Sequence, residues 1–139
     1  PSPSEGTLAR APAVTPRPAV TPLAPVATDP RTQQVVAVVQ AYGRAWTRMD
    51  ARAARAVMPS VDVRALTRDF TAMREQRLTL SGCRVSGAGA TATASCTATR
   101  RYRPRQGDHS TRIERGRWQF RVQRTAQRWV ITDVDRGAR

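Results

Sequence analysis

The sequence contains no lysine and no asparagine, one histidine, two cysteines and seven aromatic residues among its 139 positions. Each shortage excludes something. Cys83, Cys96 and the distant His109 do not complete a four-ligand zinc site without acids whose placement the sequence does not specify, so no metal and no other cofactor is expected. No stretch approaches the ~18 consecutive apolar residues of a membrane-spanning helix. The opening Pro1-Ser2-Pro3 lacks the charged and apolar regions of a signal peptide, and the expectation is a soluble fragment or processed product. There is no internal repeat, no heptad and no second core, and the length fits one ordinary domain.

With lysine absent, every basic residue is arginine: 24 Arg face 10 acids, for a formal net charge of +14. The lack of Asn and the rarity of Ile and Phe are the composition of a GC-biased coding sequence, so part of the basicity is expected to reflect that bias. The charge acts physically all the same. Arginine is permanently ionised and presents a planar fork to carboxylates and phosphates, so such a chain attracts acidic proteins, glycans or anionic head groups at low salt.

Eight of the ten prolines lie in the first 30 residues. A run such as Pro12-Ala13-Val14-Thr15-Pro16-Arg17-Pro18 cannot donate the hydrogen bonds of a helix or central strand and favours extended polyproline II. Residues 1–29 therefore read as a disordered, semi-rigid linker, 30–136 as the domain and 137–139 as a tail.

Asp29-Pro30 offers an N-cap followed by proline at the first helical position, and Val35, Val39, Tyr42, Trp46 and Met49 recur at helical spacing, predicting a helix over 30–48. Asp50 caps a short helix over Ala51–Val57 that ends before Pro59. Val63, Leu66, Phe70 and Met73 form the stripe of a third helix over 61–75. From Leu78 the period becomes two. Strands are expected over Leu78–Ser86, Ala90–Arg103, Ile113–Arg124 and Arg128–Val134, joined by a tight turn at Gly89-Ala90, the Pro104–Arg112 loop and the Thr125-Ala126-Gln127 turn. Helices followed by an antiparallel meander make an α+β fold: three N-terminal helices packed on a four-stranded antiparallel sheet.

A hairpin turning about Gly89-Ala90 places Cys83 opposite Cys96, and a bulge at Gly82 brings Leu78, Leu80, Cys83 and Val85 to one face. This predicts a cross-strand disulfide and with it an oxidising compartment; two buried free thiols are the alternative.

The run Ala41-Tyr42-Gly43-Arg44-Ala45-Trp46, then Asp50-Ala51-Arg52-Ala53, then a sheet ending Trp118-Gln119-Phe120 and Trp129-Val130-Ile131, resembles the nuclear transport factor 2-like superfamily, with its ketosteroid-isomerase-like and SnoaL-like members. The resemblance covers about residues 31–135. It is strongest to unassigned domains that follow Pro-rich linkers in bacterial proteins, including regions C-terminal to membrane-anchored serine/threonine kinases, where a pair like Cys83 and Cys96 and a motif like Tyr102-Arg103-Pro104 recur. It implies a cone in which helices cover the concave side of a curved sheet. The strand pair usually found between the second and third helices is replaced here by Met58-Pro59-Ser60, which implies a shallow or filled pocket.

An isomerase or dehydratase of this type needs a carboxylate or histidine base and a buried oxyanion donor. Tyr42 resembles the family's tyrosine donor but reads as a core tyrosine, His109 falls in a polar loop, and Asp50, Asp62 and Asp69 read as helix-start or solvated residues. Nucleic-acid binding, the reading suggested by charge, lacks spare aromatics for stacking: Tyr42, Trp46, Phe70, Tyr102, Trp118, Phe120 and Trp129 all fall on the inward stripe or face and become candidate pocket-lining residues. Arg100, Arg101, Arg103, Arg105, Arg117 and Arg121 are candidates for an outward anionic-partner surface, alongside Arg115 and Arg124. The resulting expectation is a non-catalytic, extracytoplasmic accessory domain, periplasmic or at the cell surface and tethered to a membrane protein. It would sense a small apolar ligand or dock an acidic protein, glycan or head-group surface. A homodimer through the outer sheet face, an isomerase-like enzyme and a nucleic-acid binder are the alternatives.

Overall fold

The computed structural model describes residues 29–137, so the Pro-rich 1–28 and the last two residues lie outside the described part. Three helices, α1 (Pro30–Thr47), α2 (Ala51–Val57) and α3 (Val63–Thr71), precede four strands, β1 (Met73–Ser86), β2 (Thr91–Pro104), β3 (Arg112–Thr125) and β4 (Arg128–Asp135). The sheet is a pure antiparallel meander in the order β1-β2-β3-β4. The α+β reading holds. Among the described residues no helix is long and apolar enough to cross a membrane.

Each helix begins at an aspartate whose carboxylate accepts from a backbone amide three residues on: Asp29 from Thr32, Asp50 from Ala53 and Asp62 from Ala65. The backbone and side-chain hydrogen bonds from Thr32 hold the Asp29 carboxyl below its ordinary value. Two boundaries differ from expectation. Helix α1 stops at Thr47 because Met49 turns into the left-handed region at φ 54°, so Met49 leaves the helical stripe and packs against the core from the connection. Helix α3 ends at Thr71 rather than 75, and Met73 already opens β1 opposite Pro104. The alternation of Gln76, Leu78 and Leu80 runs back further than its apolar members show.

At the other end of the β1–β2 hairpin the last facing pair is Ser86 and Thr93, and the connection runs through two positive-φ glycines, Gly87 and Gly89, instead of a minimal two-residue turn. The expected bulge is present: the register shifts between Ser81 and Arg84, with Gly82 at φ 58°. It returns Cys83 to the face that carries Leu80, and Cys83 and Cys96 are disulfide-bonded with their Cα atoms 4.1 Å apart.

Alternate residues of the strands (Leu78 and Leu80; Ala92, Ala94, Cys96 and Ala98; Trp118, Phe120 and Val122; Ile131) meet Val35, Val39, Tyr42 and Trp46 of α1 and Leu66 and Phe70 of α3 in one core. Helix α1 also seals the β1 edge. Thr47 exchanges hydrogen bonds with both N–H and C=O of Leu78, and Gln40 donates to the Leu80 carbonyl, closing backbone groups that an edge strand would otherwise expose. Gly43 makes the approach possible, since a Cβ there would lie 3.1 Å from Leu80 Cδ1.

Because the disulfide joins residues 13 apart in sequence, replacing both cysteines by serine should lower unfolding stability by about 3 kcal/mol, read from urea unfolding with the slope fitted separately for each protein, since the unlinked unfolded chain exposes more surface. A midpoint insensitive to reduction would place the hairpin's stability in its packing alone.

Candidate functional site

Inside the cone the aromatics form a continuous cluster. Trp46 meets Tyr42, Phe70 and Trp118 with ring centroids 5.4–6.0 Å apart, and Phe120 contacts Tyr42 edge-on at 5.8 Å and Trp118 at 6.2 Å. The innermost part of the cone is therefore filled. Of the seven expected pocket residues, Tyr42, Trp46, Phe70, Trp118, Phe120 and Trp129 are buried and Tyr102 is half-buried. Burial pushes the Tyr42 phenol above its ordinary value, partly offset by the neighbouring Trp46 indole N–H and the charge of Arg136. That N–H is itself buried and makes no hydrogen bond of good geometry.

One end of the concave face is polar. The inward alternation that gives Ala94, Cys96 and Ala98 continues to Arg100 and Tyr102, that of Trp118 continues back to Gly116 and Glu114, and that of Leu78 back to Gln76. Arg100 donates from Nε to Gln76 Oε1 at 2.7 Å and from Nη1 to Glu114 Oε1 at 3.1 Å, and its guanidinium lies 4.1 Å from the Tyr102 ring centroid. Gln76 donates to the Trp46 carbonyl, and the Tyr102 hydroxyl donates to Glu114 Oε2. Arg100 is therefore no outward docking residue; its side chain is only 14% exposed. Strict parity counting from Cys96 and Trp118 finds Arg100, Tyr102 and Glu114; Gln76 lies ahead of the strand start expected at Leu78.

Beyond this network opens a cleft of about 570 Å³ lined by Arg100, Glu114, Gly116, Trp118 and Arg136 among others. Arg115 and Arg117 also border it, but by strand alternation their side chains belong to the outer face, where Arg117 donates to Ser95 Oγ. Arg136, just past β4, sets its guanidinium 5.0 Å from the Trp46 ring and 5.5 Å from that of Trp118. No sequence pattern pointed to Arg136, because its role depends on where the chain crosses after the last strand.

The remaining candidates scatter. Arg103 pairs with Glu75 at 3.1 Å and donates to the His109 carbonyl, Arg105 donates to the Thr71 carbonyl, Arg101 is exposed, and Arg121 stands opposite Asp133 on the outer face. His109 is exposed in the β2–β3 loop. Among the described residues no group of three or more His, Cys, Asp or Glu could hold a metal ion.

No family profile matches the chain, and no curated protein matches it in sequence. Solved structures do match. A nuclear transport factor 2-like superfamily protein from Salmonella enterica aligns at TM-score 0.64 with 14% identity, over 77% of this chain and 91% of that one. This chain has the nuclear transport factor 2-like fold. A protein assigned as a dehydratase of the same family from Streptomyces avermitilis aligns at 0.62 with 16% identity, over 73% and 91%. The association domain of C. elegans CaMKII aligns at 0.59 with 15% identity, over 78% and 95%. At these identities the likeness establishes the fold alone.

The parity correction has a direct check. Arg100→Ala, which leaves the buried Gln76 Oε1 without its donor, should cost about 2 kcal/mol of stability, while Arg101→Ala on the opposite face should stay within about 0.5 kcal/mol, both from denaturant unfolding. Equal effects would contradict the inward placement of Arg100.

Proposed function

We propose that this chain is a non-catalytic binding domain whose open cleft takes a small ligand with a planar apolar body and an anionic group. The observation that carries this reading is the pair of guanidiniums, Arg100 and Arg136, held against the indoles of Trp46 and Trp118 at the rim of a cleft with one acid, Glu114. An apolar surface beside a few convergent polar groups is the usual make-up of a small-molecule site. Arg136 has no ion-pair partner among the described residues, so a ligand anion gains a charge-assisted bond there without breaking one.

The enzyme reading is weaker. Glu114 faces the cleft, but it is bonded to Arg100 and Tyr102 rather than set near Tyr42, and its side chain is 58% exposed. A neutralised, solvated carboxylate is not the isolated, dry group that makes an effective general base. The disulfide supports an extracytoplasmic setting, periplasmic or at the cell surface. The proline-rich 1–28 suits a tether to a membrane protein. A homodimer through the outer face is disfavoured, since a two-fold axis there would bring the arginines of one copy towards those of the other.

Naphthoate and its neutral amide, titrated while tryptophan fluorescence is followed, test the reading. The carboxylate should bind and the amide bind at least about tenfold more weakly; Arg136→Ala should cost about tenfold, the scale of one charged hydrogen bond. Gly116→Leu, at a position where a Cβ would meet nothing within 4 Å, should fill the cleft and abolish binding without unfolding the domain. Equal binding of acid and amide, or binding that survives Gly116→Leu, would overturn it.

A further inference from the structure

We propose a second site, separate from the cleft: an arginine-lined groove on the outside of the cone that takes a linear chain of phosphates. Two depressions adjoin along the β1 edge. One, about 320 Å³, lies between α1 and β1 and is bordered by Arg44, Arg48 and Arg77. The other, about 440 Å³, crosses β1 and β2 and is bordered by Arg77, Arg101 and Arg103. Thr47 and Arg77 border both, so the two depressions are neighbours along one face.

Five guanidiniums border this groove against one acid, Glu75, which is already paired with Arg103. Arg77 and Arg101 face each other directly across β1 and β2. Like charges in that position destabilise a sheet, and among the described residues neither has an acid within ion-pairing distance. A bound polyanion removes that repulsion. Arg44 and Arg48 lie about one helical turn apart and Arg101 and Arg103 two strand residues apart, backbone spacings of about 6–7 Å. An extended chain meets several of these arginines at once, where a single small anion meets one or two.

The chemistry favours bare phosphates. Arginine forks bind phosphate oxygens in pairs. The aromatic in the lining is Tyr102, whose hydroxyl bonds Glu114 and whose ring is covered by Arg100, so bases find no platform. A concave groove also keeps its floor from a flat head-group layer.

The test titrates the whole chain with inorganic polyphosphate across a salt series. A variant carrying Arg44→Gln, Arg77→Gln and Arg101→Gln, all exposed, should bind at least tenfold more weakly and lose about two from the slope of log K against log salt. A second variant, with Arg52→Gln, Arg64→Gln and Arg124→Gln, removes the same charge outside the groove and should change affinity less than threefold. Equal losses in the two variants would reduce the site to bulk charge and overturn it. Tighter groove-dependent binding of a single-stranded oligonucleotide or of anionic vesicles than of polyphosphate would replace the proposed occupant.

Discussion

The contact of Trp46 on α1 with Trp118 on β3, ring centroids 5.6 Å apart, joins the helical layer to the middle of the sheet, and most other features are arranged around it. Phe70 closes on Trp46 from α3, Phe120 extends the cluster along β3 beneath Tyr42, and the small side chains Ala94, Cys96 and Ala98 of β2 leave room for these rings beside them. Truncating a buried Phe or Trp costs about 3–5 kcal/mol, against a total stability of about 5–15 kcal/mol for an ordinary domain. The aromatic cluster is thus on the scale of the whole folding free energy. Filling the cone this way leaves the open cleft beside the cluster, where Trp118 lines it, rather than in the centre of the cone.

At that rim the core gives way to a polar network rather than to water. Gln76 is the one polar side chain buried among the described residues, and both ends of its amide are engaged, by the Trp46 carbonyl and by Arg100. Arg100 in turn lies against Trp46 and Tyr102 and bonds Glu114. Such a group is tolerated next to a core only when its donors are matched, because leaving one partner unpaired costs more than the bond gains. The network also holds Glu114, the one carboxylate lining the cleft, against the Arg100 cation.

Much of this was legible in the sequence because it follows from period and capping. The Asp29-Pro30 start, the Asp50 cap, the Gly82 bulge and the facing cysteines are local statements, and the alternation of Ala92 to Ala98 and of Trp118 to Val122 assigns the inner face directly. The boundaries of α3 and β1 were less legible, since Met73 fits a helical stripe as well as a strand start and only pairing with Pro104 decides. The site was hardest to read. Arg100 and Glu114 sit at inward parity but look like surface residues by type, and Arg136 comes to the indoles through tertiary path alone.

The acids explain why the domain's positive charge stays uncompensated. Of the nine described acids, Asp29, Asp50, Asp62, Asp108 and Asp135 each accept from a nearby backbone amide, at Thr32, Ala53, Ala65, Ser110 and Gly137. Only Glu75 and Glu114 form ion pairs with arginine. The short aspartate side chain suits caps and turns, where its reach back to the backbone fixes it. Those carboxylates keep their negative charge, but few arginines have one as a direct ion-pair partner among the described residues. Coding bias bears on how many arginines there are, not on Arg77 and Arg101 standing face to face while acids are committed to helix starts and turns. This division of labour leaves Arg77 and Arg101 without an acid within ion-pairing distance among the described residues.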